Sequence, residues 1–151
     1  MLLRSPSFPS GGAVPAALMA ADCGGKNRTP ALAWSGAPHG TKSFAVIMHD
    51  ADAPIAGGFY HWVLYDVPGS VTRLSGGAAA PGRLGVASTG RAAYYGPCPP
   101  PGPAHHYTVT LLALDLARVS ATAPLDAPQL LHAVAGHVLA RATIAATATR
   151  P

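Results

Sequence analysis

The sequence predicts one mainly β domain, on three observations. Seventeen glycines and sixteen prolines in 151 residues interrupt the chain too often for long helices, which favours short strands joined by ordered turns. The apolar residues gather in runs of about five, such as "FAVIM" at 44–48, and the strongest runs are rich in aromatic and β-branched residues. No repeat, heptad or concentrated linker divides the chain. Residues 1–151 therefore read as a single domain, long enough to bury roughly two-thirds of the surface its unfolded form exposes.

Taken in order, "MLLRSPSFPSGGAVPAALMAAD" has prolines at 6, 9 and 15 that break any signal-peptide core, so mature protein and a cytoplasmic setting are expected. "TKSFAVIMHD" reads as a strand ending at Asp50, with Phe44, Val46 and Met48 on one side and Ala45 and Ile47 on the other. An apolar pattern on both faces places it in the middle of a sheet. "FYHWVLYDV" is the next strand, stopped by Pro68-Gly69, and a period of two puts His61, Val63, Tyr65 and Val67 on one face. Residues 75–93, small and poor in large apolar groups, read as a long surface loop. "HHYTVTLLALD" is the third strong strand, with His105, Tyr107, Val109, Leu111 and Ala113 sharing a face. "DAPQLLHAVAGHVLARA", from Asp126, reads as the one helix, with an Asp N-cap and Leu130, Leu131, Val134, Val138 and Leu139 on one side.

The net charge of +4 comes from ten basic residues set singly along the chain against six aspartates, and a nucleic-acid partner would need a patch. Glutamate is absent and arginine outnumbers lysine eight to two, a bias that a GC-rich genome would produce. Apolar runs of about five residues fall far short of the roughly 20 that cross a bilayer, so no transmembrane segment is expected. The two cysteines, Cys23 and Cys98, suit either a reduced pair or one long-range bridge, and they form no zinc-ribbon spacing.

Four of seven histidines (49, 61, 105 and 106) and two of six aspartates (50 and 52) fall at the ends of the three strong strands. Such clustering in a charge-poor chain points to a site. Asp50 and Asp52 can face one side of an extended segment, and an imidazole from His61 or His105 giving an N–H to Asp50 would leave its other ring nitrogen for a ligand. The turn "GPCPPPGP" offers stiffness and backbone amides at Gly96 and Cys98. His49 points away from Asp50 and reads as structural or exposed, and His132 and His137 stay outside the site. No Gly-x-Ser-x-Gly and no Ser or Thr within the His-Asp motifs supplies an activated nucleophile, so a non-catalytic binding role without cofactor is expected. The alternative is a metal-dependent hydrolase using Asp50, His61 and His105.

Five ordered motifs, "CGGKNRTPALAW" at 23–34, "HDADAP" at 49–54, "HWVLYDVP" at 61–68, "YYGPCPPPGPAHHYTVTLLALD" at 94–115 and "GHVLA" at 136–140, resemble the phosphatidylethanolamine-binding protein (PEBP) family in its bacterial and archaeal branch of Raf-kinase-inhibitor-like proteins. The resemblance implies a β-sandwich with Greek-key topology, long loops and a C-terminal helix, with a small anion pocket at one end for phosphate-type groups such as phosphorylethanolamine. It carries ligand-binding roles to Asp50, Asp52, His61, Gly96, Pro97, His105 and Tyr107, with His61, Tyr107 and the Gly96 amide donating to the anion. It also places Cys23 and Cys98 near the same end. A kinase or protease as protein partner, and a homodimer, are further expectations of the same origin. Three departures from the family pattern are Ala51 between the aspartates, His106 before Tyr107, and "ASTG" at 87–90, where relatives carry an aromatic at the pocket rim.

Overall fold

The computed structural model describes Met1–Pro151 and is mostly β. Nine strands form: β1 (Leu2–Arg4), β2 (Gly12–Ala13), β3 (Leu32–Ser35), β4 (Ser43–Asp50), β5 (Phe59–Pro68), β6 (Arg73–Leu74), β7 (Arg83–Leu84), β8 (His105–Leu114) and β9 (Val138–Ala148), with one α-helix, α1 (Ala127–Ala133), before the last. The strands divide into a three-stranded sheet, β1-β3-β6, and a six-stranded sheet, β2-β9-β8-β4-β5-β7. Between the sheets lies the main core, where Leu32, Trp34 and Leu74 of the small sheet meet Phe44, Val46, Met48, Trp62, Leu64 and the inward residues of β8.

β4 sits centrally, paired antiparallel with β5 and β8, which is why both its faces are apolar. Phe44, Val46 and Met48 enter the main core, whereas Ala45 and Ile47 enter a second, smaller core on the outer face of the large sheet. α1 covers that outer face with Ala127, Leu130 and Val134. On β8 the expected alternation holds, with Tyr107, Val109, Leu111 and Ala113 inside and Leu112 and Leu114 against the helix layer.

On β5 the expected common face of His61, Val63, Tyr65 and Val67 does not survive. Register breaks opposite the Met48/His49 and Phe44/Val46 steps insert an extra residue near His61 and another near Asp66, the second marked by a positive φ of 57° at Asp66. Each bulge reverses the alternation. Val63 and Tyr65 therefore face the helix layer, Val67 returns to the main core, and His61 joins Trp62 on the inner side, against Tyr107.

The helix is shorter than expected. Asp126 caps it as read, accepting from the Gln129 N–H while Gln129 bonds back to the Asp126 N–H. It stops at Val134, followed by Gly136 with φ of 82°, a left-handed position that glycine adopts without strain. Val138 and Leu139 then belong to β9, where both are exposed. Residues 75–93, expected as loop throughout, carry the two-residue edge strand β7, and Val86 bridges to Asp126.

Candidate functional site

β4 and β8 run antiparallel, so the end of one lies beside the start of the other and Asp50 pairs in register with Tyr107. β5 begins at the same end, and its bulge turns His61 inward. The stretch 94–100 crosses above them, held by the Tyr95 N–H to the His61 carbonyl and the Ala20 N–H to the Pro97 carbonyl. Together these elements enclose a cavity of about 180 Å³, with Asp50, His61, His105 and Tyr107 at its base and Phe59, Tyr95 and Pro99 among its walls.

Asp50 is buried, with both oxygens engaged: Oδ2 accepts from His105 Nδ1 at 2.6 Å and Oδ1 accepts from the Asp52 N–H at 2.8 Å. A carboxylate accepts only, so the His105 proton sits on Nδ1 and Nε2 is left for the cavity. His61 is fixed in the same sense, its Nδ1 donating to the Tyr95 carbonyl at 2.6 Å. Burial holds its pKa below the ordinary imidazole value, against the opposing pull of the Tyr95 carbonyl and the Asp50 charge. A neutral His61 with Nδ1–H accepts through Nε2. It donates to a ligand only when protonated, which differs from the donor role expected of it.

Tyr107 lies under these rings, 5.3 Å from His61 centroid to centroid and edge-on. Its hydroxyl is buried without a hydrogen-bond partner in the protein, and the residue is one of those that line the cavity. Burial, and then the charges of Asp50 and Asp52, push its pKa well above the usual phenol value, so it keeps its proton. A fixed, protonated donor with nothing to donate to is costly unless something occupies the cavity.

The other expected site residues stand behind this group. Asp52 accepts from both the backbone N–H and Nδ1 of His106 at 2.8 Å, which lowers its pKa and ties the 50–52 turn to the start of β8. The Gly96 N–H is taken by Asn27 Oδ1 at 2.7 Å, and Pro97 is buried; neither lines the cavity. Glycine is required at 96 because a Cβ there would lie 2.1 Å from the Leu18 carbonyl oxygen. Gly96→Ala is expected to lower stability by about 3 kcal/mol, read by urea unfolding, since backbone on both sides must yield. An unchanged midpoint would show that the 18–20 turn moves freely.

His49 stacks on Tyr60 at 4.3 Å and bonds the Gly57 carbonyl, outside the cavity. Cys23 and Cys98 form a disulfide with a Cα separation of 5.5 Å, and Cys98 is part of the cavity wall. Residues 87–90 do not line the cavity; Ser88 is paired with the Tyr60 backbone. Sequence reasoning missed Phe59, Tyr95 and Asn27. Phe59 lies two residues before His61 and Tyr95 directly before the Gly-Pro turn, positions that were available as signals; Asn27 acts across 69 residues of chain and gave none. Asp50, His61 and His105 do not gather as a set that could hold a metal.

The profile described as "Phosphatidylethanolamine-binding protein" matches residues 4–149. The UPF0098 protein YbcL of Escherichia coli (strain K12) is 40% identical over 106 residues, covering 64% of this chain, which spans 58% of that relative's length. A UPF0098 protein of Aquifex aeolicus (strain VF5) is 37% identical over 151 residues, with 95% of this chain and 85% of the relative covered. The crystal structure of E. coli YbcL, described as a new member of the mammalian PEBP family, superposes with a TM-score of 0.91 at 29% identity, covering 98% of this chain and 97% of that one. The PEBP homolog CT736 from Chlamydia trachomatis superposes at 0.90 with 30% identity, covering 99% and 97%. A match over nearly the whole chain, on a fold shared end to end, makes this protein a member of the phosphatidylethanolamine-binding protein family.

Proposed function

We propose that the cavity under residues 94–100 binds a compact phosphate-type headgroup of the phosphorylethanolamine kind without chemical turnover. Family membership supports a binding protein, and the observation that carries the finer reading is the buried, unpartnered hydroxyl of Tyr107, a residue that lines a small cavity. In this reading Tyr107 donates to a ligand oxygen, while His61 and His105 present Nε2. A hydroxyl of a protonated phosphate gives its hydrogen to neutral His61. Asp50 orients His105, and Asp52, Gly96 and Pro97 hold the surrounding turns. The hydrolase alternative has no support from the placement of its three side chains.

A kinase or protease partner and a homodimer belong to the same proposal as family expectations. The Cys23–Cys98 disulfide favours an oxidising compartment over the cytoplasm expected from the N-terminus. No helix is long and apolar enough to cross a membrane.

The pH dependence of binding tests the imidazole role. Sulfate brings no proton near neutral pH, so neutral His61 has nothing to accept from it; protonation converts Nε2 into a donor beside an anion. Because burial lowers the His61 pKa, the gain comes below pH 6.5 rather than above it. Calorimetric titration at constant ionic strength is expected to show sulfate affinity rising as pH falls through that range in the parent, and a weaker rise in His61→Ala. A flat profile, or one unchanged in His61→Ala, would make His61 framework only.

A further inference from the structure

The strands that open on the cavity close, at their other ends, on a second concavity. β4 has eight residues, so its ends lie roughly 23 Å apart at the usual strand rise. Just before β4, at the end of β5, at the start of β7 and after β8, the side chains of Lys42, Asp66, Arg83 and Arg118 line a groove of about 450 Å³. Three of the ten basic residues converge here in a chain where such residues are otherwise scattered.

Asp66 is the second, independent feature. Its side chain is 7% exposed and its Oδ2 has no hydrogen-bond partner, while Oδ1 accepts from the Val119 N–H at 2.8 Å. The nearest cation, Arg83 Nη1, stands 3.8 Å from Oδ2, beyond hydrogen-bond distance, and is drawn toward the Ala121 carbonyl at 3.4 Å and over the Tyr65 ring. Lys42 and Arg118 make no salt bridge. Asp66 also holds a positive φ of 57°, inside the bulge that removes it from the core-facing series of Trp62 and Leu64. A bulge that takes one aspartate out of the core-facing series and into the lining of a basic groove, in a strained backbone conformation and with one oxygen lacking a hydrogen bond, marks a site rather than a packing solution.

We propose that this groove is a second anion site, specific for an oxyanion that carries its own proton near neutral pH: hydrogenphosphate. The anion's oxygens take up Lys42, Arg83 and Arg118, and its hydroxyl donates to Asp66 Oδ2. Sulfate offers the same charge and shape with no hydrogen to give, so it sets a carboxylate oxygen against an anion oxygen. Selectivity therefore comes from Asp66 and affinity from the three cations.

Residue-resolved NMR separates this site from the cavity at the opposite end. Titrating the ¹⁵N-labelled protein near neutral pH and at constant ionic strength with inorganic phosphate, methyl phosphate or sulfate is expected to give saturable shifts at the Val119 and Gly82 amides. Phosphate should bind about tenfold more tightly than sulfate or better, the effect of one unmet buried acceptor. Methyl phosphate, whose second ionisation lies at about pH 6, is largely a proton-free dianion here and should bind weakly, as sulfate does; binding equal to that of inorganic phosphate would overturn the role of Asp66. Asp66→Asn keeps the acceptor for Val119, tolerates the positive φ and turns the second position into a donor, so the preference for phosphate over sulfate should vanish or invert. The exposed pair Lys42→Ala/Arg118→Ala should weaken phosphate at least about tenfold here, with shifts at Tyr107 unchanged. Linear, non-saturating shifts, equal affinity for phosphate and sulfate in the parent, or a double variant that titrates like the parent would each overturn the proposal.

Discussion

Replacing both cysteines, Cys23→Ser with Cys98→Ser, is expected to produce the largest loss of stability of any change at the cavity. The bridge joins residues 75 apart in sequence, and closing a loop of that length removes about 4.5 kcal/mol of unfolded-chain entropy. For a domain of this size that corresponds to a fall in Tm of roughly 10 °C or more. Binding should weaken less than stability does. The 94–100 stretch keeps its ties through Asn27 to Gly96 and Tyr94 and through the Ala20 N–H to the Pro97 carbonyl. Arg150 Nε also holds the Pro99 carbonyl. Calorimetric unfolding of the parent with and without reductant checks this, and a Tm within about 2 °C of the oxidised protein would mean that the reduced, unfolded chain keeps the two loops together by other means.

Tyr107→Phe is expected to separate binding from stability. The hydroxyl has no hydrogen-bond partner within the protein, so removing it leaves the fold as stable as before or slightly more so. A framework role would predict the opposite. Affinity for phosphorylethanolamine should fall by about 10- to 100-fold, the effect of one hydrogen bond to a charged group. Because the Tyr107 pKa is raised by burial and by Asp50 and Asp52, that loss should stay constant from about pH 6 to 9, unlike the His61 effect. A variant that unfolds early, or that binds as the parent does, would place the hydroxyl outside the site.

Much of this was legible because three strands carry strong side chains in clean alternation. The apolar faces of β4 and β8, and with them the approach of Asp50, His105 and Tyr107, follow from a period of two and from antiparallel pairing. What failed did so for local reasons. β9 escaped the sequence reading because its first residues, Val138 and Leu139, continue the apolar side expected of the preceding helix, and because two of its buried positions, Ala146 and Ala148 beside Ile144, are alanines, which suit helix and strand alike. The faces of β5 were misread because bulges at His61 and Asp66 leave no mark in composition, although the second places an aspartate in a left-handed conformation. Gly96 was read as an anion-facing amide because glycine is permissive in two ways. Here its missing side chain, pressed against the Leu18 carbonyl, is what the fold uses.

The most direct test is a crystal structure of the protein grown with phosphorylethanolamine. Expected is a tetrahedral group in the cavity, with one oxygen about 2.7 Å from the Tyr107 hydroxyl and the phosphate hydroxyl within about 3 Å of His61 Nε2, and with His105 still bonded to Asp50. Density for the headgroup anywhere else, or a phosphate oriented away from Tyr107 with its hydroxyl still unpartnered, would contradict it.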